Sequence, residues 1–227
     1  MKSLNKYVGI AGILTGVALL LELVFFMASG FTTTKIADQT QAITLIQDKV
    51  VLLRIATFFG FSGAIISIPY IAGLAAKLRA KAPARATAVL YFGIVGSVGH
   101  GLVALSYYLG FPLLITLSIH HLAQAINSWG GFLAITAGFQ GLGNLLLGLM
   151  LGLAGLSIIK IKEDLPQGVG WVGVAAGITA ILGVITTATP LKAIGYATYI
   201  PSIFLAILFN IWVGRRLLIS DQSWLSS

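Results

Sequence analysis

The stretch Val8 to Ser29, VGIAGILTGVALLLELVFFMAS, carries a single charged side chain, Glu22. At about 1.5 Å per residue, a helix of these roughly 22 residues crosses the ~30 Å hydrocarbon layer of a bilayer. A carboxylate within such a helix costs about 2.5–3.5 kcal/mol on insertion scales. The stretch therefore predicts a membrane-spanning helix whose one acid faces the protein interior and meets a partner there. We do not interpret it as a cleavable signal, because it is too long and contains that acid.

The composition of the whole chain agrees with a membrane protein. Of the 227 residues, 58% are hydrophobic and 9% are charged, and the mean hydropathy is +0.99. So few charges cannot cover the surface of a water-soluble domain of this length. Cysteine is absent, which excludes disulfides, thiolate metal sites and cysteine nucleophiles.

Five further segments are also apolar enough to span a membrane. The six predicted spans are residues 8–29, 50–76, 87–109, 129–157, 168–189 and 193–214. Polar stretches with proline or charge separate the later ones. The predicted fold is thus an all-α bundle of six transmembrane helices, forming one domain over residues 1–227.

The basic residues predict how the chain is oriented. With the N-terminus inside, most of the 14 Lys and Arg residues lie inside, and only Lys35, Lys49, Arg54 and Lys192 lie outside. Loops rich in Lys and Arg stay in the cytoplasm. We therefore expect both termini to be cytoplasmic and the protein to be multi-pass in the inner (plasma) membrane. The net charge of +8 is explained by such loops and by the lipid bilayer as partner, and no nucleic acid is expected.

Two of the predicted outer connections are long. Residues 30–49 contain Asp38 and Gln41 in the spacing of a helix capping box. Residues 112–127 begin at Pro112 and carry regularly spaced apolar side chains. Both are expected to be interfacial helices on the outer face. They can be simple amphipathic linkers or a lid over a site beneath.

Polar side chains at similar depth predict a site in the outer half of the bundle. Counting 1.5 Å per residue from the helix ends brings Glu22, Arg54, His100 and Gln140 to comparable depths, with Asn144 somewhat deeper. One interpretation is a ligand-binding pocket made by these five residues. The alternative is a structural Glu22–Arg54 ion pair, with His100 hydrogen-bonded between helices.

Other motifs carry less chemistry. Residues 168–173, GVGWVG, match G-x-G-x-x-G, but no strand precedes them and no acid follows at the required distance. A single mid-membrane histidine cannot form a bis-His haem site, and we predict no metal site. We leave the cofactor open and assign no catalytic residue. Two glycine pairs, Gly148 with Gly152 and Gly173 with Gly177, fit helix-packing motifs. They can pack within the bundle or against a membrane-protein partner or second copy.

Two stretches resemble a known family. Residues 165–177, LPQGVGWVGVAAG, resemble the Leu-Pro-x-x-Gly-Trp-Gly-Ala-Gly pattern of a bacterial six-helix membrane family catalogued only as a domain of unknown function. Residues 209–215, FNIWVGR, are similar to its closing Leu-Trp-Leu-x-x-Gly. The resemblance implies the six-helix fold and a bacterial inner membrane. It implies no activity and no site residues.

Three functions stay open from the sequence. The leading one is a non-enzymatic integral membrane protein, either an accessory subunit or a small-ligand binder. The alternative is a small-solute or proton-coupled transporter. The third is an intramembrane enzyme with His100 as base and Glu22 as acid, which requires both side chains within reach of one substrate position.

Overall fold

The computed structural model describes residues 2–30, 39–161, 165–187 and 192–220. These residues form helices α1 (Lys2–Ser29), α2 (Gln39–Arg79), α3 (Pro83–His120), α4 (Leu122–Ile161), α5 (Gln167–Thr187) and α6 (Lys192–Ser220). All six are long and apolar enough to cross a membrane. The prediction of an all-α fold with six helices able to span a membrane is confirmed.

The six helices form a closed ring in chain order. Each helix packs against its neighbours in sequence, α6 packs against α1, and α2 also touches α4. Because successive helices run antiparallel, the start of each helix lies beside the end of its neighbour. Gly9 near the start of α1, for example, meets Gly214 near the end of α6. One end, called the basic end below, gathers most of the described cations: Lys6, Lys77, Arg79, Lys81, Arg85, Lys160, Arg215 and Arg216.

Several helix ends follow local sequence signals. Pro83 opens α3, where its missing N–H costs no hydrogen bond. Gly30 follows α1 with φ 70 and donates its N–H to the carbonyl of Met27. Only glycine adopts this left-handed backbone conformation without a steric cost. A proline start and a glycine stop thus set these two boundaries.

The first turns of α2 form a cap over the ends of α3 and α4. Lys49 has non-helical angles, φ −122 and ψ 17, and separates residues 39–48, here called the cap segment, from the rest of α2. Ile43 and Ile46 of the cap segment are buried against Phe111 and Trp129. A helix was expected here, but its apolar side faces the protein. Asp38, the expected N-cap, lies outside the described residues.

Residues 112–127 do not form a separate helix, contrary to the expectation. They are divided between the end of α3 and the start of α4, which meet at His121, φ −146 and ψ 70. The helix continues through Pro112 because Phe111 and Leu114 are buried against the cap segment and α4. The burial of these side chains offsets the hydrogen bond that proline cannot make. The helices α3 and α4 are therefore longer than the spans predicted for them.

The glycine pairs in α4 and α5 lie at a close crossing within the chain. A Cβ built on Gly177 would lie 2.6 Å from the carbonyl oxygen of Gly148 and 2.7 Å from the nitrogen of Gly152. A Cβ on Gly173 would lie 2.7 Å from the ring of Phe209 in α6. The backbones approach this closely because no side chain separates them. These glycines therefore pack within the chain, and contact with a partner or second copy stays a prediction.

We predict that Gly177→Ala destabilises the protein by about 1–3 kcal/mol, because the added methyl meets backbone atoms that cannot move aside. The matched control is Gly138→Ala in α4, where a Cβ would have no atom within 4 Å. Thermal unfolding of both variants in the same detergent measures the difference. Equal stability of the two variants would contradict the close crossing.

Candidate functional site

An acid and a histidine meet inside the ring. Oε2 of Glu22 in α1 lies 3.2 Å from Nε2 of His100 in α3. These two helices are separated in the ring by α2, so the contact reaches across the interior. The prediction that Glu22 meets a polar partner is confirmed, and of the two candidate partners it is the imidazole.

Glycines make room for this contact. A Cβ on Gly60 of α2 would lie 2.7 Å from Cδ of Glu22, so the carboxylate passes over bare backbone. A Cβ on Gly143 of α4 would lie 3.1 Å from the backbone nitrogen of His100. The absent side chains let α2 and α4 approach the pair from both sides.

The pair is enclosed but not sealed. The side chain of His100 keeps 17% of its accessible surface and that of Glu22 keeps 14%. Both lie on the inward faces of their helices, beside buried residues such as Ala18 and Ala104. A charge here needs a partner or a hydrogen bond, because desolvation disfavours an isolated ion.

Three further polar side chains extend the site. Asn144 of α4 donates its Nδ2 hydrogen to the hydroxyl of Tyr199 in α6 over 2.9 Å. The side chain of Gln140 and the carboxylate of Glu22 also lie near this hydroxyl. Four of the five residues predicted for the site thus lie in one neighbourhood.

Tyr199 was missed as a site residue, because the polar faces predicted for the site lie on the first four spans. A signal was present in the sixth. Tyr199, Ser202 and Asn210 recur at helical spacing, and Ser202 and Asn210 are buried. These polar side chains share the inward face of α6.

Arg54 is not part of this group. Its guanidinium lies over the ring of Tyr108, 4.5 Å from the ring centroid, and Arg54 is exposed on the outside of the ring. No salt bridge joins it to Glu22. The reason is angular: Arg54 precedes Gly60 by six residues, so on a helix it points about 120° away from the face that meets Glu22. Its depth was compatible with the site, and its direction was not.

Polar groups continue from the pair toward the basic end. The hydroxyls of Ser67 and Ser97, on α2 and α3, are hydrogen-bonded at 2.7 Å. The hydroxyl of Tyr70 and Oδ1 of Asn210 are buried and have no hydrogen-bond partner among the described residues. Buried polar atoms are normally satisfied, so these two atoms are suitable positions for water or solute.

The arrangement provides one acid, one imidazole, two amides and a phenol. Within the described ranges, no group of three or more His, Asp or Glu residues could hold a metal ion. The site can therefore donate and accept hydrogen bonds and exchange a proton between Glu22 and His100.

Comparison of the chain with protein-family models, with curated proteins and with solved structures finds no match. The resemblance to the bacterial six-helix family stays a prediction from the sequence.

We predict that Glu22 and His100 are energetically coupled. In a double-mutant cycle of Glu22→Gln and His100→Gln, the coupling should be about 0.5–3 kcal/mol, because each variant leaves the other group without its partner. Unfolding in detergent gives the four stabilities. Glu22→Gln combined with Ser118→Ala, near the cap segment, should be additive. Additivity of the Glu22 and His100 variants would show that their contact contributes nothing.

Proposed function

We propose that this chain is a non-enzymatic, multi-pass membrane protein that binds a small polar ligand inside the helix ring. The ligand would contact Glu22, His100, Gln140, Asn144 and Tyr199. The observation that carries the proposal is the Glu22–His100 contact, which reaches across the interior and keeps accessible surface. Ionisable groups placed at this depth in a membrane are costly and are generally functional.

The charge of the site favours a particular class of ligand. With Arg54 outside, no permanently cationic side chain among the described residues joins the group. An anion would therefore meet Glu22 without a compensating arginine or lysine. An amine or a neutral hydroxyl compound could donate a hydrogen bond to the carboxylate and accept one from Asn144 or Tyr199. We propose small amines and polyols as the ligand class.

The setting of the protein is part of the proposal. Lys and Arg collect at the basic end, and such loops face the cytoplasm in inner membranes. We propose that both termini lie there and that the cap segment and the α3–α4 junction lie at the opposite, outer surface. The bacterial inner membrane and the interfacial position of these segments rest on the sequence.

We predict that a panel of amines, polyols and carboxylates will contain amines or polyols that raise the thermal unfolding temperature of the purified protein. Glu22→Gln and Asn144→Ala should abolish that stabilisation, because both remove groups that bind the ligand. The control is Arg54→Gln, which lies outside the ring and should keep it. Stabilisation by carboxylates alone, or its loss in Arg54→Gln, would contradict the proposed site.

Proton-coupled transport of such a solute is a second candidate. It is favoured by two buried polar atoms on the basic side of the Glu22–His100 pair, the hydroxyl of Tyr70 and Oδ1 of Asn210. Neither atom has a hydrogen-bond partner among the described residues. A solute or water there would extend the polar path along the interior. An intramembrane enzyme, the third possibility, finds no support beyond the Glu22–His100 contact itself.

Transport predicts flux of a bound amine into proteoliposomes when an inward proton gradient is imposed. Glu22→Gln should abolish the flux, since a glutamine cannot bind and release the coupling proton. Gly138→Ala, on an open face of α4, serves as the control and should transport normally. Binding without flux in the unaltered protein would leave the binding proposal and exclude transport.

A further inference from the structure

A groove on the outside of the ring lies between α2 and α3. It has a volume of about 660 Å³ and is open to the surroundings. Aliphatic and aromatic side chains form most of it, including Val51, Ile55, Phe58 and Phe59. Arg54 lies in the same groove, over the ring of Tyr108. The groove thus combines an apolar surface with one fixed cation.

The depth of Arg54 places its charge at the boundary of the membrane. Arg54 and Arg79 are separated by about 37 Å of helix, slightly more than the ~30 Å hydrocarbon layer. When Arg79 lies at one headgroup region, Arg54 therefore lies at the other. Phe58 lies one turn deeper along α2, at the level where acyl chains begin.

The charge of Arg54 calls for an anion. Within the described residues, no carboxylate lies close enough to form a salt bridge with it. Its guanidinium lies over the Tyr108 ring, and a guanidinium in such a contact still has N–H groups that can donate to an anion. Arginine–phosphate pairs are frequently bidentate, with two parallel N–H···O bonds.

We propose that this groove binds an anionic phospholipid, with its phosphate on Arg54 and an acyl chain along Ile55, Phe58 and Phe59. The charge favours this occupant over a zwitterionic lipid, whose ammonium group would lie close to the guanidinium. The groove is independent of the ligand site in the ring, because α2 presents Gly60 inward and Arg54 outward.

Native mass spectrometry of the purified full chain in detergent tests this, with phosphatidylglycerol and phosphatidylcholine as probes. We expect preferential retention of phosphatidylglycerol. Arg54→Gln should bind it about tenfold more weakly, since a charge-assisted contact is lost. Lys49→Gln, which removes an exposed charge near the same end of α2, is the matched control and should bind normally.

Retention of the preference in Arg54→Gln, or an equal loss in Lys49→Gln, would overturn the proposal. Displacement of the lipid by glycerol phosphate would also overturn it, because the site would then belong to free phosphate esters. Thermal unfolding verifies that each variant is folded. If Arg54→Gln is not folded, Tyr108→Leu takes its place: weaker phosphatidylglycerol binding supports the groove, and unchanged binding overturns it.

Discussion

The cost of placing a carboxylate inside a membrane constrains this structure more than any other feature. Glu22 lies well within the first span, where an isolated charge is unfavourable by several kcal/mol. The chain meets this cost with His100, which comes from a helix that is not adjacent to α1 in the ring. The two side chains can meet only if α2 carries no side chain at the level where they pass it. Gly60 satisfies that requirement, because its missing side chain leaves the space that the carboxylate occupies.

The same use of glycine shapes the rest of the ring. Inside a bilayer the hydrophobic effect does not hold helices together, so close packing must contribute more. Gly143 brings α4 to the backbone of His100, and Gly148 and Gly177 bring α4 to α5. The close approach of α4 to its two neighbours also positions Asn144 beside Tyr199 of α6. The glycines that let the helices pack closely therefore also set the position of the polar site.

The sequence predicted the number and class of the helices, because length and hydropathy decide whether a segment can span a membrane. It also predicted that Glu22, Arg54, His100 and Gln140 lie at compatible depths, with Asn144 somewhat deeper. It could not predict the direction of Arg54, because depth along a helix says nothing about the rotation of that helix in the bundle. The extension of α3 through Pro112 was equally hidden, since it depends on Phe111 packing against segments distant in sequence.

Helix α2 keeps apart two charged groups, Glu22 and Arg54, that lie at similar depths in the predicted spans. Its inward face carries Gly60 and receives the acid, whereas its outward face carries Arg54 over Tyr108. Because Arg54 and Gly60 point about 120° apart on α2, turning the arginine inward would move Gly60 away from Glu22. With the arginine outside, the interior keeps an acid whose described partner is a titratable imidazole, and such a pair can exchange protons or accept an amine. The rotation of one helix thus decides whether the guanidinium of Arg54 or Gly60 of α2 faces the buried acid.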